Sequence, residues 1–290
     1  MSAKAPDKSF GSWEEAVRWL IEQSDQQQLV RDCYYDPPLV NAAARYHASE
    51  EWQAIRELLP ADAGRALDLG AGHGITSYAL ARDGWRVDAL EPDGSDLVGR
   101  GAIEKLATEN NLNICPMSGT GERIPFPDES FDLVLARQVL HHANDLPELC
   151  EEVYRVLKPG GMCVTVRDHV ISNERDLSVF LANHPLHRLY GGEHAFFLDD
   201  YLQALADSGF VIDKVLRPFD SVINFSPYNR ATLKKEMASR IAAYPLGGFF
   251  ARILCAKPVF PLLLWLLSRV DSRPGRLFSF VGRKSVSRDS

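Results

Sequence analysis

"ALDLGAGHG", residues 66–74, sets an apolar run, one Asp and three alternating glycines inside nine residues. Glycine lets the backbone turn sharply and approach a ligand with no Cβ in the way. The spacing departs from G-x-G-x-x-G, because Gly74 comes one residue early and Ile75 fills the later slot. Alone, such a loop is equally a ligand cradle or a flexible turn, so its flanks decide. "RALDLG" predicts a strand, and "ITSYALARDG" predicts a helix ending at Gly84. "WRVDALEP" predicts the next strand and ends at Glu91, 23 residues beyond Asp68. An acidic side chain there can accept hydrogen bonds from both hydroxyls of a ribose.

The alternation continues outward. "SDLVGRGAIEKLATEN" reads as a helix, and "LNICPMSG" and "SFDLVLAR" as strands. "LPELCEEVYRVLKPGG" reads as a helix stopped by Pro159 and its glycines, and "MCVTVRDHV" as the following strand. Regular β-α-β order implies a mostly parallel sheet with helices on both faces, its ligand edge at the strands' carboxyl ends. "FLDDYLQALADSGF" predicts one more helix, "VIDKVLRPFDSVINF" a long strand region, and "LFSFVGRKS" a last strand. Ahead of the core, "SWEEAVRWLIEQ" predicts a helix with Ser12 as N-cap and Glu15 completing a capping box. Pro37 and Pro38 break the chain before a second helix over about 49–59.

Composition narrows the class. Apolar residues make up 46% and charged residues 24% of the chain, the balance of a globular domain with a substantial core. The five cysteines form no Cys-x-x-Cys pair, and "MSAKAPDKSFGSWEEAV" lacks the apolar run of a secretory leader; both favour a cytoplasmic setting. The net charge of −7 divides unevenly: residues 246–290 carry eight Lys/Arg against two Asp/Glu, the remainder 24 against 37. An acidic body lacks the basic footprint that nucleic acid requires, so no nucleic-acid partner is expected.

Four stretches in order, "LDLGAGHG", "ALEPD", "GERIPFPDESFDLVLARQVLHH" and "VYRVLKPGG", resemble the class I S-adenosylmethionine-dependent methyltransferases over about residues 62–170. The resemblance implies a Rossmann-like, mostly parallel seven-stranded sheet and S-adenosylmethionine as cofactor. Asp68 with Gly70, Ala71, Gly72 and Gly74 would hold the methionine portion, Glu91 the ribose, and Pro92 and Asp93 would flank the adenine. Where the family often places "G-D-A-E", this chain has "GTGE" over 119–122, which leaves Gly121 and Glu122 as adenine contacts and puts Thr120 in place of the Asp. Arg137 and Gln138 would line the pocket near the reacting methyl, although Arg137 is equally well read as half of a structural ion pair.

A neutral hydroxyl is a weak nucleophile, so O-methylation benefits from a base, and histidine suits that task near neutral pH. Strand alternation in "VTVRDHV" points to His169 as the base, while Asp168 falls on the opposite face. "NHPLHRLYGGEHAF", 183–196, supplies His187, Tyr190 and His194 as acceptor contacts, joined by His142 from the "LHH" segment. A metal held by His184, His187, His194 and Glu193 is the competing reading, but this spacing matches no zinc pattern and no metal is expected.

The apolar stretch "FFARILCAKPVFPLLLWLLSRVDSRPGR" is too short and too interrupted to span a bilayer. It reads either as a helix packed on the core or as an interfacial segment, within 246–276, that meets the inner face of a membrane. The expected organisation is a helical lid over 1–60, a cofactor-binding core over 61–226 with an acceptor loop at 170–197, an insertion over 227–276, and a last strand and tail over 277–290. The function expected is methyl transfer to a small or lipid-linked acceptor, most readily at a hydroxyl oxygen. C-methylation of a quinone or isoprenoid precursor, or a noncatalytic cofactor-binding role, are the alternatives. Nothing in the sequence speaks to oligomeric state.

Overall fold

The computed structural model describes residues 10–286, so the ends of the expected lid and tail lie outside the described residues. Four helices open the chain: α1 (Trp13–Glu22), α2 (Gln27–Asp32), α3 (Leu39–His47) and α4 (Glu50–Arg56). Ser12 caps α1 by accepting from the Glu15 N–H, and the Glu15 carboxylate reaches back to the Gly11 N–H rather than to Ser12. Trp52 and Ile55 are fully buried where α4 meets the sheet.

The core then alternates as the sequence predicts: β1 (Arg65–Leu69), α5 (Ile75–Arg82), β2 (Arg86–Leu90), α6 (Arg100–Glu109), β3 (Ile114–Met117) and β4 (Phe131–Arg137). A 3-10 turn (Leu140–His142) leads into α7 (Leu146–Val156) and β5 (Leu157–Ile171). Next come α8 (Glu174–Asn183), β6 (Phe196–Phe197), α9 (Leu198–Asp207) and β7 (Phe210–Leu216). The chain ends with α10 (Val222–Phe225), α11 (Arg230–Ala242), α12 (Gly247–Leu254), α13 (Phe260–Val270) and β8 (Arg276–Lys284).

The sheet order is β3-β2-β1-β4-β5-β8-β7, with β6 paired to the end of β5. All pairs are parallel except those of β8, which runs antiparallel to β5 and β7. Ala66, Leu67 and Leu69 in β1 are buried because helices cover both faces, which is why the strand reads as an unbroken apolar run. The expected architecture is the observed one, with an eighth strand added where Phe196 and Phe197 meet Val170 and Ile171.

Two boundaries move. The strand expected through Phe225 stops at Leu216, ahead of Pro218, and Ser221 caps the short α10 by accepting from the Ile223 N–H. The "KPGG" expected to close a helix instead begins β5, with Gly160 at φ +79° beside a register shift against β4. Within β5 two residues, Val166 and Arg167, stand opposite the single Ser279 of β8. Arg167 takes φ +67° there, and its N–H donates to Ser279 Oγ. This is a β-bulge, and past it the side-chain alternation is offset by one.

The apolar stretch is buried only in part. Ala251, Cys255, Phe260 and Leu264 are buried with Val222, Phe225 and Leu233, forming a satellite core. Phe249, Phe250, Leu262 and Trp265 face outward, each roughly half or more exposed. Among the described residues no helix is long and apolar enough to cross a membrane.

Candidate functional site

The carboxyl ends of β1, β2 and β4 open onto a cavity of about 560 Å³, an ordinary size for a small-molecule site. The glycine loop forms its floor. Gly70, Gly72 and Gly74 all take left-handed backbone, at φ +62°, +54° and +88°. Their tasks differ. A Cβ on Gly70 would press into Val139 and one on Gly74 into Ile103, whereas above Gly72 nothing lies within 4 Å. Gly72 is therefore the glycine whose missing side chain opens the cavity. Gly70, Ala71 and Gly72 line it, while Gly74 sits behind as the N-cap of α5.

Glu91 stands on the facing wall. Its Oε2 accepts from the Gly72 N–H at 2.8 Å and its Oε1 from the Asp93 N–H at 2.9 Å, which fixes the carboxylate beside the loop. Each oxygen retains acceptor capacity for a ligand hydroxyl. Burial raises the Glu91 pKa, and the two backbone donors partly offset that rise. Pro92, Asp93, Gly121 and Glu122 continue the wall, together with Thr120 and the apolar Leu90, Val98 and Leu149. Glu122 is held by accepting from the Asn144 N–H.

Asp68 does not reach the cavity. Its side chain points beneath the loop, accepts from Ser77 Oγ, and is 1% exposed. Burial pushes its carboxyl up to about 7. The residue anchors α5 to β1, and the expectation that it meets the methionine ammonium is corrected accordingly.

Arg137 and Gln138 line the cavity at the end of β4, and Gln138 takes φ +60°. Arg137 is also the ion pair weighed from sequence. Its Nε donates to Glu51 Oε1 at 2.8 Å, with Arg167 on the far side of the same carboxylate at 3.9 Å. Burial opposes the Glu51 carboxylate, but Arg137 and Arg167 outweigh it and hold its pKa below the ordinary value. Through this pair α4 is bolted to the cavity's rear wall.

On the acceptor side His142, Tyr190 and Glu193 line the cavity, roofed by Trp13 of α1 and by Tyr35. The Trp13 ring lies 6.0 Å from Tyr190 and 6.1 Å from Tyr35. His142 Nδ1 is 2.8 Å from the Gly192 carbonyl, an acceptor only, so Nδ1 carries the proton and Nε2 keeps its lone pair.

His169, His187 and His194 are not on this wall. His169 is 6% exposed and gives its Nδ1–H to the Gly275 carbonyl at 2.8 Å, so the base expected there is corrected: the β5 bulge and β8 bury it. The His187 N–H donates to His184 Nδ1, and the His194 ring packs on Phe196, which makes these two part of a loop folded on itself. Asp168 orients the first histidine of the "LHH" segment: its Oδ1 lies 3.0 Å from His141 Nδ1. His141 Nε2 faces Glu193 Oε2 at 3.4 Å. Burial works against a charged His141, yet Asp168 and Glu193 outweigh it and raise its pKa to about 9. Trp13 carried no sequence signal beyond its place on a helix face. Glu193 stood out only through the histidines around it.

Residues 67–165 match the model of a family described as a methyltransferase domain. The match falls on the glycine loop, Glu91, Arg137 and Gln138, the residues that build the cofactor side of the cavity. Residues 67–165 thus form a class I, S-adenosylmethionine-dependent methyltransferase domain. This methyltransferase domain is similar to an uncharacterized methyltransferase of Bacillus subtilis, YcgJ: 35% identity over 130 residues, covering 45% of this chain and 49% of that one. It is 26% identical over 137 residues to a ubiquinone biosynthesis O-methyltransferase of Agrobacterium fabrum, covering 47% of this chain and 54% of that one. A geranyl diphosphate methyltransferase solved in complex with S-adenosylmethionine shares the fold at 17% identity, with a TM-score of 0.55 over 86% of this chain and 92% of that one. The chain spans about half the length of the curated relatives it matches.

Proposed function

We propose that the chain transfers a methyl group from S-adenosylmethionine to a hydroxyl oxygen of a small acceptor. The observation that carries the reading is one cavity holding both the Gly72–Glu91 pair and the free Nε2 of His142. The residues present fit the cofactor. Glu91 would take the ribose hydroxyls, Leu90, Val98 and the 119–122 turn the adenine, and the open backbone at Gly72 with Gln138 the methionine end. S-adenosylmethionine, once bound, supplies a methyl already activated on a positively charged sulfur, so the protein's part is alignment and the acceptor's proton.

That proton goes to His142 Nε2. The Gly192 carbonyl holds the ring in the required tautomer, and Glu193 Oε2, 3.9 Å from Nε2, is placed to support the imidazolium. Trp13, Tyr35 and Tyr190 cover the acceptor end and exclude water, which gives the N-terminal helices the part of a lid. The name of the Agrobacterium relative, an O-methyltransferase, supports a hydroxyl acceptor. Labelled-methyl transfer to a pool of phenolic and alcoholic metabolites tests this. His142→Ala is expected to lower turnover about 10²–10⁴-fold with cofactor affinity kept, and His187→Ala to lower it far less. Equal losses in both would remove His142 as the base.

The outward face of α12 and α13 supports a lipid-associated acceptor. Phe249, Phe250, Leu262 and Trp265 are exposed on a segment within residues 246–290, which carry eight Lys/Arg against two Asp/Glu. Flotation with anionic vesicles is expected to carry the protein upward, and Phe249→Ser with Trp265→Ser to abolish it. Equal flotation of the double variant would assign the contact elsewhere.

A further inference from the structure

Among the buried polar atoms that lack a hydrogen-bond partner, three belong to side chains gathered behind the acceptor wall: His141 Nε2, His169 Nε2 and Glu193 Oε2. One ligand atom from each of these side chains lies within 4.8 Å of the other two. An unpaired buried polar atom is costly, and three converging ones call for a common partner.

The rest of each ring is arranged to leave Nε2 as a ligand. Asp168 Oδ1 is 3.0 Å from His141 Nδ1, and the Gly275 carbonyl is 2.8 Å from His169 Nδ1. Both partners act as acceptors, so both Nδ1 atoms carry hydrogen; His169 Nε2 then presents a lone pair, and His141 Nε2 presents one once a metal ion displaces the proton it holds toward Glu193. A metal-binding histidine characteristically gives its other ring N–H to a carboxylate or a backbone carbonyl, and here one ring has each. The one separation between unpartnered atoms that the geometry fixes points the same way. His141 Nε2 and Glu193 Oε2 form an ion pair at 3.4 Å that is too poorly aligned for a hydrogen bond. Two ligands about 2.0–2.2 Å from a tetrahedral zinc lie about 3.3–3.5 Å from each other.

We propose that His141, His169 and Glu193 bind one divalent transition-metal ion of the zinc class, with water in the fourth position. Two imidazoles and one carboxylate form a donor set that zinc accepts. The three ligands come from the 3-10 turn, from the end of β5 and from the loop after α8. The ion therefore ties the turn at Gly191, Gly192 and Glu193, which lines the acceptor cavity, to the sheet. Its role is to hold that wall in place. The residues differ from those the loop's spacing suggested, since His187 and His194 take no part.

The test uses the full chain, stripped with a chelator and titrated with Zn²⁺ by calorimetry in the absence of any methyl donor. Its outcome is thus separate from that of the methyl-transfer reading. One ion per chain is expected, with thermal stabilisation and slower proteolysis at Gly191–Gly192. Glu193→Gln and His169→Ala are expected to weaken binding at least 100-fold, Asp168→Asn about 10–100-fold, and His187→Ala not at all. Co²⁺ loaded into the parent chain serves even if a variant fails to fold: ligand-field bands without thiolate charge transfer are expected, which excludes the five cysteines. No binding by the parent, thiolate bands, or parental affinity in Glu193→Gln would each overturn the site.

Discussion

The two banks of the cavity are built on different terms. On the cofactor bank, Glu91 is satisfied by the backbone N–H groups of Gly72 and Asp93, and beneath that bank Asp68 is satisfied by Ser77. On the acceptor bank, Glu193 is met from behind by His141 and His169; the three come from separate elements and leave their facing atoms without a hydrogen bond. The first bank is complete as a folded unit and needs only its ligand. The second is a set of donors awaiting a partner. A backbone-built site can be shared across many chemistries, whereas a side-chain-built one fixes a particular acceptor.

The hardest blow to that contrast lands where the N-terminal helices join the cofactor bank. Glu51→Ala would leave Arg137 and Arg167 buried with no carboxylate between them. Breaking a buried pair from one side costs about 3–5 kcal/mol, so a large fall in urea midpoint is expected. An unchanged midpoint would mean that the helices are not held through this pair.

A smaller effect sharpens the picture of Asp68. Its carboxyl titrates near 7 when folded, because of burial, against about 3.9 in an unfolded chain. The folded state therefore binds the extra proton between those values, and stability falls as pH rises through that window, by up to about 1.4 kcal/mol per pH unit. Asp68→Asn is expected to flatten this fall, so its advantage over the parent widens from pH 5 to pH 7 in urea denaturation. Parallel curves for the two proteins would show that Asp68 is ionised throughout.

The same contrast explains what the sequence made legible. Gly72 and Glu91 are separated by a single β-α-β step, and both the turn and the acidic strand end leave local marks. Asp68 misled because the motif records its place in the chain but not that Ser77 turns it inward. His169 misled for a further reason: alternation predicts its face only along an unbroken strand, and the extra residue at Arg167 is invisible in the apolar pattern. The Gly275 carbonyl that claims its Nδ1 lies more than a hundred residues away. Glu193 and His141 meet only through tertiary packing, so histidine spacing within the loop suggested the wrong partners.

The most direct test of the central claim is an equilibrium titration of the purified chain with S-adenosylmethionine, beside Glu91→Ala. Hydrogen bonds to a charged group are worth about 1.5–3 kcal/mol, so the account predicts saturable one-to-one binding that Glu91→Ala weakens about 10–100-fold. No binding by the parent, or the same affinity in both proteins, would contradict it.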